Sequence, residues 1–310
     1  MADRVLVTGA LGCLGAWVAR ALLDDGDTVV GYDLGDDTSR LRLVLGERDA
    51  ERVHLVRGDV TDLEGLGRAL DEHEVTRVIH LAALQVPFVR ADPVRGMRVN
   101  VTGTVAVLEA VRQRPGRVPG IAYASSAAVY SGHDASPAPE TGGVVPATLY
   151  GVSKLADEGM ARVYRDDFGV GSIGLRPYVV YGPARDQGMT AGPSLAVAAA
   201  VRGEAFEIGF SGTAQYDFAP DVGRAFVLAA RAAADRSAVY NFPGVSAPIE
   251  DVVAAIDAAV PGARVTWSGD PLPFPPALEA VGFVRDVAPL PERSLTEGIA
   301  ATATHLRTAA

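Results

Sequence analysis

Tyr150 and Lys154 stand four residues apart in LYGVSKLADEGMARVY, residues 149–164, a stretch whose composition favours one helix. One helical turn puts positions i and i+4 on the same face, with Cβ atoms about 5–6 Å apart, so the phenol and the ammonium can meet in one site. A phenol in water has a pKa near ~10 and is a weak base at neutral pH, but a cation beside it stabilises the phenolate and lowers that value. The pair could then move a proton to or from a substrate hydroxyl. An isolated Tyr-x-x-x-Lys is more often a packed ring beside a solvated ammonium, so the surroundings have to decide.

A second group of residues could cradle a phosphate. In VLVTGALGCLG, residues 5–15, Gly9, Gly12 and Gly15 form G-x-x-G-x-x-G where the first strand hands over to the first helix. Glycine lets the backbone turn tightly and approach a pyrophosphate, whose charge a helix N-terminus stabilises. Cys13 and Leu14 belong to the same turn and are expected to touch the cofactor. The plain alternative is a turn that only packs. Asp33 closes the second strand, at the distance where an acid receives the ribose hydroxyls of NAD and repels the extra phosphate of NADP. Arg40 and Arg42 follow closely and soften that exclusion, so NAD is preferred over NADP. Asp59 and Val60, at the end of the third strand, are placed for the adenine edge, with Thr61 or Asp62 capping the next helix. Cys13, the single cysteine, reads as a small apolar filler rather than a nucleophile, because no base lies near it in sequence.

These residues need elements to hold them. Residues 4–8, 28–33, 53–60, 77–83 and 120–126 read as short strands, with helical patterns around 17–23, 63–70 and 93–111 between them. Runs that are apolar on both faces and separated by helices indicate a parallel sheet covered on both sides, a doubly wound α/β fold. Helix 148–168 and strand 171–178 continue the alternation, which loosens over residues 182–212. Helix 221–233 and the short strand 239–242 suggest a return to the main sheet. Residues 1–182, with 216–244 returning, are therefore expected to form the dinucleotide-binding Rossmann domain, and most of 183–310 a smaller substrate lobe ending in a helix near 295–306.

The bulk properties narrow the partners. The chain has 310 residues, 48% hydrophobic and 21% charged, enough for a large core. A net charge of −10 and a pI near 5.0 argue against nucleic acid or an anionic membrane as main partner and favour a small molecule. The start of the chain lacks a signal-peptide layout and no apolar run is long enough to span a bilayer, so a cytoplasmic protein is expected. One cysteine and five scattered histidines make a protein metal site unexpected.

The glycine cradle, Asp33, HLAA at residues 80–83, SSAAVY at 125–130 and Tyr150-x-x-x-Lys154, in this order, make the chain resemble the extended short-chain dehydrogenase/reductase superfamily, in its NAD-dependent epimerase/dehydratase branch. The resemblance covers essentially the whole chain. It implies that Tyr150 is the catalytic acid/base, that Lys154 holds the nicotinamide ribose and lowers the phenol pKa, and that Ser126 bonds the substrate oxygen. Ser125 is the rival for that last role, and S-A-x-V-Y as the family frame favours Ser126. The resemblance further implies cofactor contacts from Leu81, Ala82 and Ala83. Pro177 and Val180, in LRPYVVYGP, would line the nicotinamide side. Asn100 matches an asparagine near cofactor and tyrosine, or else satisfies its own helix backbone. His80 is read as packed, without chemistry. A homodimer through helices 93–111 and 148–168 is also implied.

Departures from the family pattern bear on substrate. Nucleotide-sugar members carry an asparagine where this chain has Val179 and an arginine where it has Ala214, both used on the substrate diphosphate. A buried phosphate without charge-assisted partners is costly. Ala127 and Ala128 stand where dehydratases of the branch have an Asp-Glu pair. Gln85, Arg185, Asp186 and Gln187 are expected at the mouth, orienting a smaller polyol-like, sugar-like or acidic substrate with Ser125 and Ser126. The reading that results is an NAD-dependent oxidoreductase acting on a secondary alcohol or ketone of a carbohydrate-like molecule. The alternative is a nucleotide-sugar 4-epimerase using the same groups, and a third reading is a non-catalytic dinucleotide sensor.

Overall fold

The computed structural model describes residues 2–141 and 144–309. Its strands are β1 (Arg4–Thr8), β2 (Thr28–Asp33), β3 (His54–Arg57), β4 (Arg77–His80), β5 (Gly120–Ala124), β6 (Gly171–Arg176), β7 (Val179–Tyr181), β8 (Ala205–Ile208), β9 (Thr213–Phe218), β10 (Ser237–Asn241), β11 (Val245–Pro248) and β12 (Arg264–Trp267). Seven of them form one parallel sheet in the order β10-β6-β5-β4-β1-β2-β3. Its strands are apolar at successive positions because both faces are covered. Val5 and Val7 of β1 pack with the helices Cys13–Asp24 and Ala219–Ala232, while Leu6 points to the layer of Leu63–Glu72, Gly103–Arg112 and Leu149–Phe168. The expected doubly wound α/β fold is observed, with the strand order reversing beside β1. In such sheets a crevice opens there, outside the carboxyl ends of the strands.

The remaining strands form two smaller sheets. β7 and β9 pair in parallel, β11 pairs antiparallel with β9, and β8 pairs with β12. The helices Gly192–Val201, Ile249–Ala259 and Leu295–Thr308 cover them around a separate apolar cluster that includes Val197, Ile208, Tyr216, Ile256 and Ile299.

The strands expected over 53–60 and 77–83 end earlier, at Arg57 and His80, and three further elements differ from the sequence reading for a physical reason. The strand expected over 171–178 stops at Arg176. Pro177 has no N–H to donate, and its carbonyl accepts from Ala127 N instead, so the chain turns away and β7 joins the other sheet. The helix expected over 93–111 is interrupted: Pro93–Met97 runs into a π-helical turn, Arg98–Thr102, before Gly103–Arg112 resumes. The loosened region 182–212 contains a regular helix, Gly192–Val201, whose alanine-rich surface is apolar all round and so shows no amphipathic period.

Candidate active site

The phosphate cradle follows from backbone geometry. Gly9 has φ +70°, and a Cβ there would come within 2.9 Å of Ala82 N, so both the turn and the neighbouring segment after β4 require glycine. At Gly15 a Cβ would collide with the Gly9 carbonyl oxygen and the backbone of Ala10, which shows how closely the helix is seated on the loop. Gly12 begins that helix without a side-chain cap and with no acid in the first turn. The free N–H groups and positive helix end are thus left for an anion. Asp33 braces the cradle: Leu11 N donates to its Oδ2 at 3.0 Å and Gly35 N to its Oδ1 at 3.1 Å. Asp59 accepts from Thr61 N and Thr61 Oγ1, while Asp62 caps the following helix through Gly65 N. The residues present therefore fit a dinucleotide, with a glycine-only approach for its pyrophosphate and an acid at the ribose position.

One cavity of about 720 Å³ runs from this cradle to Tyr150. Gly9, Gly12, Cys13, Leu14, Gly15 and Asp33 line one end, followed by Asp59, Val60, Leu81, Ala82 and Ala83. Ser125, Ser126, Tyr150, Lys154, Pro177 and Val180 line the middle, and Gln85 and Arg185 the mouth. Residues far apart in the chain converge because the turns after β1, β2, β4, β5 and β6 all open on the same edge of the sheet.

Asn100 is the exception among the expected cofactor contacts. It does not line the cavity and is fully buried. Its Oδ1 accepts from Leu84 N at 2.8 Å, and its Nδ2 donates to Leu84 O and to Ser153 Oγ. The π turn projects this side chain between the segment after β4 and the helix of Tyr150, so Asn100 ties these two elements together.

The helix Leu149–Phe168 is capped by Thr148, whose Oγ1 accepts from Gly151 N at 3.0 Å, so Tyr150 lies in its first turn. Lys154 follows one turn later, with Nζ 6.0 Å from the Tyr150 ring centroid. Its Nζ donates to Asp157 Oδ2 at 3.1 Å. The two candidate serines differ in how they are engaged. Ser125 is buried and donates to Glu158 Oε1 at 2.5 Å. Ser126 caps a short 3-10 turn by accepting from Ala128 N at 3.1 Å, and its own hydroxyl proton has no acceptor among the described residues. Glu158 is held further by Arg176, through Nε and Nη2 at 2.7 Å each. His80 lies between Thr8 Oγ1 and Thr104 Oγ1, and burial and the nearby Lys154 push it down to about 3, so it stays neutral. Burial pushes the Cys13 thiol up to about 12, the state of a filler and not of a nucleophile.

At the substrate end, Arg185, Asp186, Gln187, Met189 and Thr190 come from the segment after β7, and Phe274 comes from the proline-rich stretch 271–276. Phe274 packs edge-on against Tyr178, their centroids 5.8 Å apart. Arg185 Nη2 donates to Thr190 Oγ1, and its Nε is buried without a partner among the described residues. Arg40 Nε reaches both carboxylate oxygens of Asp186, at 2.9 and 3.0 Å, across the cavity from the cofactor side. Val179 and Ala214 are buried in the three-stranded sheet and do not line the cavity. Asp157, Tyr178 and Phe274 are functional candidates that the sequence reading did not single out. Only Asp157 had a local signal, its position one turn beyond Lys154 on the same helix.

UDP-glucuronate 4-epimerase 2 of Arabidopsis thaliana is 37% identical over 58% of this chain, which spans only 42% of that protein's length. UDP-glucose 4-epimerase of Mycolicibacterium smegmatis is 33% identical over 83% of this chain and 82% of its own. Among solved structures, a partial consensus L-threonine 3-dehydrogenase superposes with a TM-score of 0.88 over 99% of this chain and all of that one, at 24% identity, a likeness of fold. A family profile described as NAD dependent epimerase/dehydratase family matches residues 5–242. With that match spanning the cradle, the Tyr-Lys helix and the return to the main sheet, the chain belongs to the NAD-dependent epimerase/dehydratase family of the extended short-chain dehydrogenase/reductases.

Proposed function

We propose that the protein is an NAD-dependent oxidoreductase that oxidises a secondary alcohol, or reduces the matching ketone, on a small polar molecule without a nucleotide handle. The observation that carries this reading is the cavity in which the cradle, Tyr150, Lys154 and Ser126 meet a mouth of Gln85 and Arg185, while Val179 and Ala214, in place of the expected diphosphate-binding asparagine and arginine, are turned into the core. Gly9, Gly12 and Gly15 would hold the pyrophosphate, Asp33 the adenosine ribose and Lys154 the nicotinamide ribose. Asp33 favours NAD, and Arg40 is engaged by Asp186 instead of standing free for the extra phosphate of NADP. When bound, NAD supplies the acceptor for hydride.

In the oxidative direction, the Tyr150 oxygen takes the proton of the substrate hydroxyl as hydride leaves the same carbon and the ketone forms. Ser126 donates to the substrate oxygen and fixes its position. Lys154, on the same helix face, carries the positive charge that an ionised phenol requires. Arg185, Gln85 and Ser125 border the rest of the substrate.

The sequence relatives favour a second reading, a UDP-sugar 4-epimerase in which hydride leaves and returns to the opposite face of a keto intermediate. Two measurements separate the readings. Binding of NAD, NADP, UDP and UDP-glucose is measured by calorimetry, and a panel of sugars and sugar acids is scored for NADH. Stabilisation by NAD without UDP binding, together with net NADH production, supports the oxidoreductase. Tight UDP-sugar binding without net NADH transfers the assignment to the epimerase.

We also infer a homodimer formed by the helix of Tyr150, whose outer face leaves Leu149, Val152 and Val163 exposed, together with Val94. Val152→Glu is expected to yield monomers by analytical ultracentrifugation, and an unchanged sedimentation pattern would place the contact elsewhere.

A further inference from the structure

Lys154 is the only lysine of the chain, against 28 Lys and Arg residues together, and it is buried. The charged and titratable groups around it are few. Tyr150 lies one turn before it on the same helix. Glu158, one turn after it, is already claimed by Arg176 from β6 and by Ser125 at the end of β5. His80 from β4 is neutral, and Thr104 from the helix Gly103–Arg112 is uncharged and donates to Asn100 O. Asp157 is the remaining acid. Its Oδ2 receives the lysine at 3.1 Å in near-complete burial, and its Oδ1 has no partner among the described residues.

An ammonium withdrawn from water is strongly disfavoured unless a counter-charge stands beside it, and lysine escapes the penalty by losing its proton. Arginine could not titrate in this way, and lysine does so readily. Burial pulls Lys154 down, and Asp157, Tyr150 and Glu158 together more than offset this, holding it above the ordinary lysine value; burial in turn raises the Asp157 carboxyl, with Lys154 the main group opposing that rise. A carboxylate with one oxygen engaged and one free can keep contact with an ammonium that swings toward the cavity, which a two-pronged partner such as that of Arg176 and Glu158 could not.

We propose that Asp157 is a positioning residue of the site, keeping Lys154 in its ammonium form and holding Nζ beside Tyr150 where a nicotinamide ribose would be received. The proposal rests on the reading of Tyr150 and Lys154 given above.

The single lysine makes the test direct. Protein grown with isotopically labelled lysine gives one side-chain NMR signal, whose pH titration reports Lys154 alone. Asp157→Asn keeps the shape and removes the charge, and the titration is expected to move at least about one pH unit toward acid. NAD affinity of this variant is expected to fall at pH values above the displaced titration. Asp157→Glu, which keeps a carboxylate, should stay close to the wild type. If the asparagine variant does not fold, Asp157→Ser removes the same charge with a smaller side chain. A lysine titration unchanged by either charge-removing variant overturns the proposal, even if melting temperature and turnover fall, because any buried lesion could lower those. Lys154→Met keeps the two inferences apart. Full turnover in that variant would remove the catalytic reading of Lys154, while the titration would still decide whether Asp157 governs the ammonium.

Discussion

At the scale of single residues, the arrangement separates groups that look equivalent in sequence. Ser125 and Ser126 are adjacent hydroxyls, yet one is spent on Glu158 and the other faces the cavity, its proton without an acceptor among the described residues. Ser126→Ala is therefore expected to lower kcat by roughly 10-fold or more, with the fold intact, since it removes a bond to the reacting oxygen. Ser125→Ala should instead lower the stability by ~1–3 kcal/mol, the cost of a buried partner left short, read as a lower melting temperature. A larger kcat loss in Ser125→Ala than in Ser126→Ala, measured at saturating cofactor, would reverse the assignment. Tyr150→Phe should reduce turnover by about 10²–10⁴-fold, the usual share of general acid–base catalysis, while calorimetry finds NAD binding retained. Unchanged turnover would overturn the assignment of Tyr150 as the acid/base and require another group for proton transfer. Tyr150, Lys154 and the glycines are legible in the sequence because their geometry is local. The commitment of Ser125 is not, because Glu158 lies thirty-three positions away.

At the scale of elements, the cradle depends on how closely a helix sits on a loop. Gly15→Ala places a methyl group against backbone atoms of Gly9 and Ala10, which cannot move aside as a flexible side chain would. An overpacked site of this kind costs about 1–3 kcal/mol, and the displaced helix end should also weaken NAD binding at least ~10-fold. Wild-type NAD affinity in Gly15→Ala, measured by calorimetry, would show that the helix end does not hold the pyrophosphate. The π turn at Arg98–Thr102 shows the other side of this scale. Residue types alone read as one continuous helix there, because an extra residue in a turn leaves almost no trace in hydrophobic spacing. That turn nonetheless aims Asn100 at Leu84 and Ser153 instead of at the cavity.

At the scale of the whole molecule, the two larger sheets are joined where the chain leaves β6. Asp217 of β9 is fully buried there, accepting from Tyr178 N at 2.6 Å and from Gln215 Nε2 at 3.0 Å. Burial raises its carboxyl from 3.8 to about 7, and the two hydrogen bonds only partly offset this. An acid raised in the folded state binds its proton more tightly there than when unfolded, so its contribution to stability is present at low pH and declines as pH rises from about 4 to about 7. The full effect is about 4 kcal/mol. Chemical unfolding at pH 8 and pH 5.5 should show the wild type gaining stability on acidification relative to Asp217→Asn. An identical pH dependence in the two proteins would mean that Asp217 is ionised throughout. Because Tyr178 borders the cavity, this joint also sets the wall opposite the cofactor.

The sequence by itself determined the cofactor end of the site, because each of its parts is a short-range device. A helical turn brings Tyr150 to Lys154, a strand-to-helix turn requires Gly9, Gly12 and Gly15, and a strand end presents Asp33. Alternation of apolar runs with helical segments likewise determined the doubly wound sheet, since burial on both faces leaves its mark in every strand. Only the tertiary structure decided the substrate end. Arg40 meets Asp186 across 146 positions, Phe274 reaches the cavity from the far end of the chain, and Val179 and Ala214 are turned into a core. Such contacts arise from how packed sheets and helices stack in space, and spacing along the chain carries no record of that.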